Sequence, residues 1–273
     1  MSSTKVTRRN FLVKACVLTT VSGSLSPFPP FSSLATPYHR QTFSMDKSDK
    51  ERIKEIVAGK EPAIWVCTGD SITAGVKHTQ GYRSYPEVFA ERVRYELGRS
   101  RDVVINTAIS GNSSQNIIND IDWRVRQFRP NVVSLMIGTN DCEASRKVSL
   151  NKFEENLEFL IQEVRKLGAV PILHTPNVII ETHAPERDAL PKYVNVIKKV
   201  AQNRKTILVD HWLHWQQSIE QQSQAKIFKE WLNDPLHPNG RGHQEIARLL
   251  FKELSIFNPA DPTCGGAYYE GRH

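Results

Sequence analysis

Two periods of apolar residues alternate along most of this chain. Short continuous runs read as strands covered on both faces. They are Ala63 to Cys67, Asp102 to Ala108 (centred on Val103-Val104-Ile105), Val132 to Ile137, Ala169 to His174 and Thr206 to Asp210. Between them lie stretches with helical spacing: Asp46 to Val57, Tyr85 to Leu97, Ser113 to Phe128, Ser149 to Leu167, Ala189 to Asn203, and a last one opening at Asn239. The clearest is 149–167, where Leu150, Phe153, Leu157, Leu160, Ile161, Val164 and Leu167 share one stripe and Gly168 offers a C-cap. Strand-helix alternation of this kind predicts the α/β class, with a parallel sheet of five strands between helices in one domain.

Chemistry-bearing residues gather where these strands end. Gly69-Asp70-Ser71 follows the first strand, Gly111 the second and Gly138-Thr139-Asn140-Asp141 the third, while Asp234-Pro235-Leu236-His237 precedes the last helix. In open α/β sheets that edge is where ligands bind. Each group alone reads equally well as a turn or a cap. Together they supply what acyl transfer requires. Ser71 can attack, His237 can take its proton, and Asp234 can hold the imidazole tautomer. The N–H groups of Ser71 and Gly111, with the amide of Asn140, can receive an oxyanion. The Gly-x-Ser-x-Gly elbow of α/β-hydrolases is missing.

These four blocks, in this order, resemble those of the SGNH/GDSL hydrolases, over about Ile64 to Leu250. The resemblance implies a flavodoxin-like three-layer α/β/α fold and a site without metal or organic cofactor. It implies Ser71 as nucleophile, His237 as base and Asp234 as its orienter, with Ser71, Gly111 and Asn140 as oxyanion hole. The family includes lipases, thioesterases, lysophospholipases and carbohydrate O-acetylesterases, so it fixes mechanism better than substrate.

Asp70, Tyr82, Arg83, Trp212 and Trp215 are candidates for substrate contact; the tryptophans, with Trp231, form either a sugar-stacking wall or part of the core. Asp210-His211 is a rival acid-base pair whose side chains should point apart, and His211 with His214 lacks a third metal ligand. His243 reads as a packing or capping residue. The segments 77–83, 141–147 and 181–187, which would wall the cleft, are polar. A long acyl tail would find little apolar surface there, so acetyl esters of carbohydrate are expected, with a lysophospholipase or thioesterase as runner-up. A carbohydrate-binding protein without turnover is the alternative of another class. A nucleotide-binding flavodoxin-like protein would need a Gly-x-Gly-x-x-Gly or Gly-Lys-Ser/Thr run, and neither occurs.

Composition changes the picture at one end only. The net charge is +7, but the first 35 residues hold Lys5, Arg8, Arg9 and Lys14 and no acid, so the rest is nearly balanced. That argues against a nucleic-acid partner. Thr7-Arg8-Arg9-Asn10-Phe11-Leu12 resembles a twin-arginine export signal, followed by a diluted apolar run too short to span a membrane and a Ser33-Leu34-Ala35 cleavage site. The expected layout is a leader (1–35), a linker and helix (36–61), the hydrolase domain (62–257) and a tail (258–273). The export machinery is then a partner of the precursor, and the mature chain periplasmic or secreted without an anchor. Of Cys67, Cys142 and Cys264, at most two can pair.

Overall fold

A computed structural model of the chain describes residues 47–268. The expected leader and most of the linker lie outside the described residues. Strands β1 (Ile64–Gly69), β2 (Val103–Asn106), β3 (Val132–Met136), β4 (Val170–His174) and β5 (Ile207–Val209) form one sheet in the order β2-β1-β3-β4-β5. Every neighbouring pair is parallel. This is the flavodoxin-like order, and its direction of winding reverses between β1 and β3, which opens a crevice beyond their carboxyl ends.

Successive strand residues point to opposite faces and feed two cores. Val66, Val133, Leu135 and Leu173 pack with α4 (Ser114–Asn119), α5 (Ile121–Arg124), α6 (Leu150–Lys166) and α7 (Leu190–Asn203). Trp65, Met136, Ile172 and Val209 pack with α1 (Asp49–Ala58), α3 (Tyr85–Glu91) and α10 (Gly240–Glu253). Helix α6 shows the logic. Ser149 caps it by accepting the Lys152 N–H, and its stripe from Phe153 to Val164 is buried, each large side chain contributing about 1.5–3 kcal/mol by leaving water.

Three regions differ from the sequence expectation, each for a visible reason. The single helix expected over 113–128 is broken into α4, α5 and a 3₁₀ turn at Arg126–Phe128. The break lets the fully buried Arg124 turn inward and donate to the Thr107 carbonyl at 2.9 Å and to Asn112 Oδ1. Helix α3 loosens into a π-helical turn at Arg92–Glu96, where Arg92 reaches the Ile256 carbonyl and Asp261, and Glu96 accepts from the Thr263 N–H. Residues 261–264 are therefore fastened to the domain, and Cys264 and Ile53 of α1 share its core. Helices α8 (His211–Gln221) and α9 (Gln224–Trp231) have no counterpart in the sequence reading: both are short and together crowded with Gln, Lys and Glu, although Ile227, Phe228 and Trp231 share one face of α9. Their tryptophans point inward: Trp215 is 0% exposed and Trp212 and Trp231 are buried beside it. Neither Trp212 nor Trp215 is free to contact substrate; both are core. Cys67, Cys142 and Cys264 are all buried and unpaired.

Candidate active site

Strand β1 stops at Gly69 because nothing larger fits. A Cβ there would stand 2.2 Å from the Met136 carbonyl oxygen of β3 and 2.7 Å from Thr73 Oγ1. The chain then turns into a single helical turn, α2 (Ser71–Ala74), capped by Asp70, whose Oδ1 accepts the Ile72 N–H at 2.9 Å. Asp70 is thus a buried cap rather than a substrate contact. Capping leaves Ser71 as the first residue of the turn, with its Oγ 2.9 Å from His237 Nε2.

The histidine rides on a closed loop before α10. Leu232 bridges Pro238, and the Asn233 N–H donates to the His237 carbonyl at 2.8 Å. Donors beyond β4 hold the loop down: the Ile180 N–H meets the Pro235 carbonyl at 2.9 Å and Asn177 Nδ2 the Leu236 carbonyl at 3.1 Å. Inside it, His237 Nδ1 lies 2.9 and 2.8 Å from the two Asp234 oxygens. Asp234 Oδ1 also accepts the N–H groups of Leu236 and His237, each at 2.9 Å.

Burial and pairing pull this couple in different directions. At Asp234 burial raises the pKa, but the two backbone N–H groups and His237 outweigh it, and the net shift is down. At His237 burial wins over the attraction of Asp234, so its pKa falls below 6.5. The imidazole is therefore neutral and able to accept a proton at neutral pH. A base must be unprotonated to work, so kcat/KM is expected to fall on the acid side with a midpoint below 6.5. A measured midpoint at or above that value would show that Asp234, not burial, sets the base.

On the other side of Ser71, Gly111 follows β2 with φ 78°, a conformation that favours glycine. Asn140 follows β3 and is buried, its Nδ2 donating to the Asn112 carbonyl at 3.0 Å. Arg124, turned inward by the broken helix, holds Asn112 from behind. Asp141 ties the two loops together by accepting the Ser114 N–H at 2.9 Å and the Ser114 hydroxyl at 2.5 Å. Among the described residues, no protein acceptor takes the N–H of Ser71 or of Gly111.

Beneath the serine, burial pushes the Asp70 carboxyl up to about 7; its bond from Ile72 opposes the shift and the neighbouring Asp141 adds to it. An unfolded aspartate ionises near 3.8. Between the two values the folded state binds more protons, so this group's contribution to stability declines as pH rises. Asp70→Asn keeps the capping oxygen and removes the charge. Its melting temperature relative to wild type is expected to improve from about pH 5 to about pH 8. The same offset at both pH values would show that Asp70 is not held protonated.

The remaining candidates scatter. Tyr82 is 71% exposed and lies against Gly240 at the start of α10, just past the histidine loop. Arg83 pairs with Glu91 and bonds the Tyr268 hydroxyl. Asp210 caps α8 by accepting the Leu213 N–H, whereas His211 is buried against His174 at 3.0 Å, so they form no acid-base pair. His214 stacks on Trp231, and His243 Nδ1 accepts the Tyr85 N–H at 3.2 Å.

One residue at the site gave no sequence signal. His78, in the polar loop after α2, stacks on His237 with ring centroids 3.5 Å apart and planes 8° from parallel. Its Nδ1 lies 3.1 Å from Asp234 Oδ2. Nothing in the spacing of a loop histidine predicts this contact, which exists only because the fold folds 77–83 over the histidine loop. The ligand atoms of His78, Asp234 and His237 lie within 4.8 Å of one another. Two imidazoles stacked face to face cannot both aim in-plane lone pairs at one ion, so this arrangement suits hydrogen bonding.

The model of the GDSL-like lipase/acylhydrolase family matches residues 67–245 of this chain. An acetylxylan esterase from Geobacillus stearothermophilus is 28% identical over 205 residues, covering 69% of this chain and 92% of that protein. The solved structure of Axe2, an acetylxylan esterase from the same organism, superposes with a TM-score of 0.59 at 24% identity, over 70% of this chain and 94% of the other. Catalytic mutants of that esterase at a serine, a histidine and an aspartate have also been solved. LAE5, an α/β hydrolase enzyme from the metagenome of Lake Arreo, Spain, gives a TM-score of 0.61 at 23% identity, over 72% and 96% of the two chains.

Proposed function

Since the chain belongs to the GDSL-like lipase/acylhydrolase family and is a carboxylic ester hydrolase, we propose that it removes acetyl groups from carbohydrate by a Ser71-His237-Asp234 triad. The observation that carries the mechanism is the unbroken line of hydrogen bonds from Ser71 Oγ through both imidazole nitrogens to the Asp234 carboxylate. Ser71 attacks the ester carbonyl while His237 takes its proton, and Asp234 stabilises the imidazolium that results. The negative oxygen of the tetrahedral intermediate is received by the N–H groups of Ser71 and Gly111 and by Asn140 Nδ2. His237 returns the proton to the departing alcohol, water repeats the attack on the acyl-serine, and acetate leaves.

The substrate class is supported by the acetylxylan esterase relatives and by the walls of the cleft. His78, which stacks on His237, and Glu143 and Arg187, which pair beside Asn140, are polar, and each CH₂ of a bound tail would need an apolar trough to contribute about 0.8 kcal/mol. Tyr82, exposed beside the histidine loop, presents a ring to which a sugar face can stack. The arginine-pair leader over 1–35 supports an exported enzyme. With p-nitrophenyl esters, kcat/KM is expected to fall steadily from acetyl to octanoyl, and acetylated xylo-oligosaccharides to be deacetylated. A rise toward octanoyl would replace the carbohydrate reading with a lipid esterase.

A further inference from the structure

Arg187 ends the 3₁₀ turn Pro185–Arg187, in the segment that leaves β4. Its side chain is only 11% exposed and reaches back over the turn that follows β3. Its Nε–H donates to the Thr139 carbonyl at 3.1 Å, and Nη2 meets Asn140 Oδ1 at 3.4 Å. Glu143, 3.3 Å from Nη2, and Glu186 balance its charge. One planar fork thus grips the backbone of one residue and the side-chain amide of the next, which a lysine's point charge cannot do.

The grip matters because the two ends of an asparagine amide have the same shape and opposite polarity. An N–H end stabilises an oxyanion, and an oxygen end repels it. The Asn112 carbonyl selects the N–H end from one side by accepting Asn140 Nδ2 at 3.0 Å. A donor on Oδ1 is needed to fix the plane from the other side. We propose that Arg187 is that donor, a positioning residue that locks and polarises Asn140 for the oxyanion. The inference rests on reading Asn140 as an oxyanion donor. A guanidinium on Oδ1 draws electrons away from Nδ2, so negative charge arriving at the N–H strengthens both bonds together. At 3.4 Å the contact is long for a charged hydrogen bond, and it can shorten as that charge develops. The cation also reaches across the cleft, lowering the proton affinity of His237 and Asp70.

A double-mutant cycle on acetyl ester hydrolysis tests this. Arg187→Met is expected to lower kcat about 10- to 100-fold with KM nearly unchanged, because misorientation costs only at the intermediate. In an Asn140→Ala background the same change should lower kcat less than about twofold, since nothing remains to orient. Arg187→Lys, run through the same cycle, should fall between wild type and Arg187→Met, and it serves if the methionine variant folds poorly. Equal losses in both backgrounds, or an effect confined to KM, would overturn the role and make Arg187 an independent or substrate-binding group. If Asn140→Ala itself leaves kcat unchanged, the oxyanion reading of Asn140 fails and the inference falls with it. The silent variant identifies which of the two was wrong.

Discussion

Ser71→Ala is expected to lower kcat for acetyl ester hydrolysis by about 10⁶, with the protein folded and melting as wild type. The size follows from how nucleophile and base work. Among the described residues His237 has no other hydroxyl to activate besides that of Ser71 at 2.9 Å, so losing Ser71 removes the covalent route and not a fraction of it. His237→Ala should cost about as much for the same reason. What survives is the catalysis of water held near the Asn140 amide. Since among the described residues the Ser71 hydroxyl bonds only to His237, its removal leaves the packing of α2 intact, and circular dichroism and thermal melting should not distinguish the variant. A fluorophosphonate probe should label wild type and fail on Ser71→Ala. Undiminished turnover by the folded variant would move the nucleophile elsewhere.

Asp234→Asn should lower kcat by about 10⁴, because the base remains while its tautomer is no longer held. Here the carboxylate has several tasks. It accepts the His237 ring and the backbone N–H groups of Leu236 and His237, and it lies against His78. An amide of the same shape cannot accept from all of them at once, and it offers N–H where an acceptor is needed. The variant is therefore expected to be less stable as well as slower, and its melting temperature should be recorded beside kcat. A loss of less than about tenfold would mean that the stack against His78 orients the imidazole without the acid, contrary to the usual share of such a group.

The sheet was legible because buried parallel strands leave continuous apolar runs, and those from Trp65 to Met136 land in the register that pairs β1 with β3. The four site blocks were legible because Gly69 ends β1, Gly111 and Asn140 lie in the turns just past β2 and β3, and Asp234 to His237 leads into α10, each a local event with a local signature. What was lost in sequence is what long-range packing decides. Trp212 and Trp215 are as suited to a cleft as to a core, and only the placement of α8 against α9 sends them inward. His78 and Arg187 are polar loop residues among many. Their partners Asp234 and Asn140 are 156 and 47 positions away, a distance no periodicity spans. Helix 113–128 kept its apolar rhythm but had to break for one buried arginine, and a charged side chain turned inward leaves no pattern.

The three unpaired thiols carry a consequence for how the chain is made. Cys67 lies in β1, and burial pushes its thiol up to about 12; Cys142 is likewise raised to about 12. A thiolate is the species that attacks an oxidant or a disulfide, and these two are held in the unreactive form inside the core. The described fold is therefore closed by packing alone, with no covalent step to wait for. It should assemble equally well with reductant or without it, because no thiol pair has to form before the core can close.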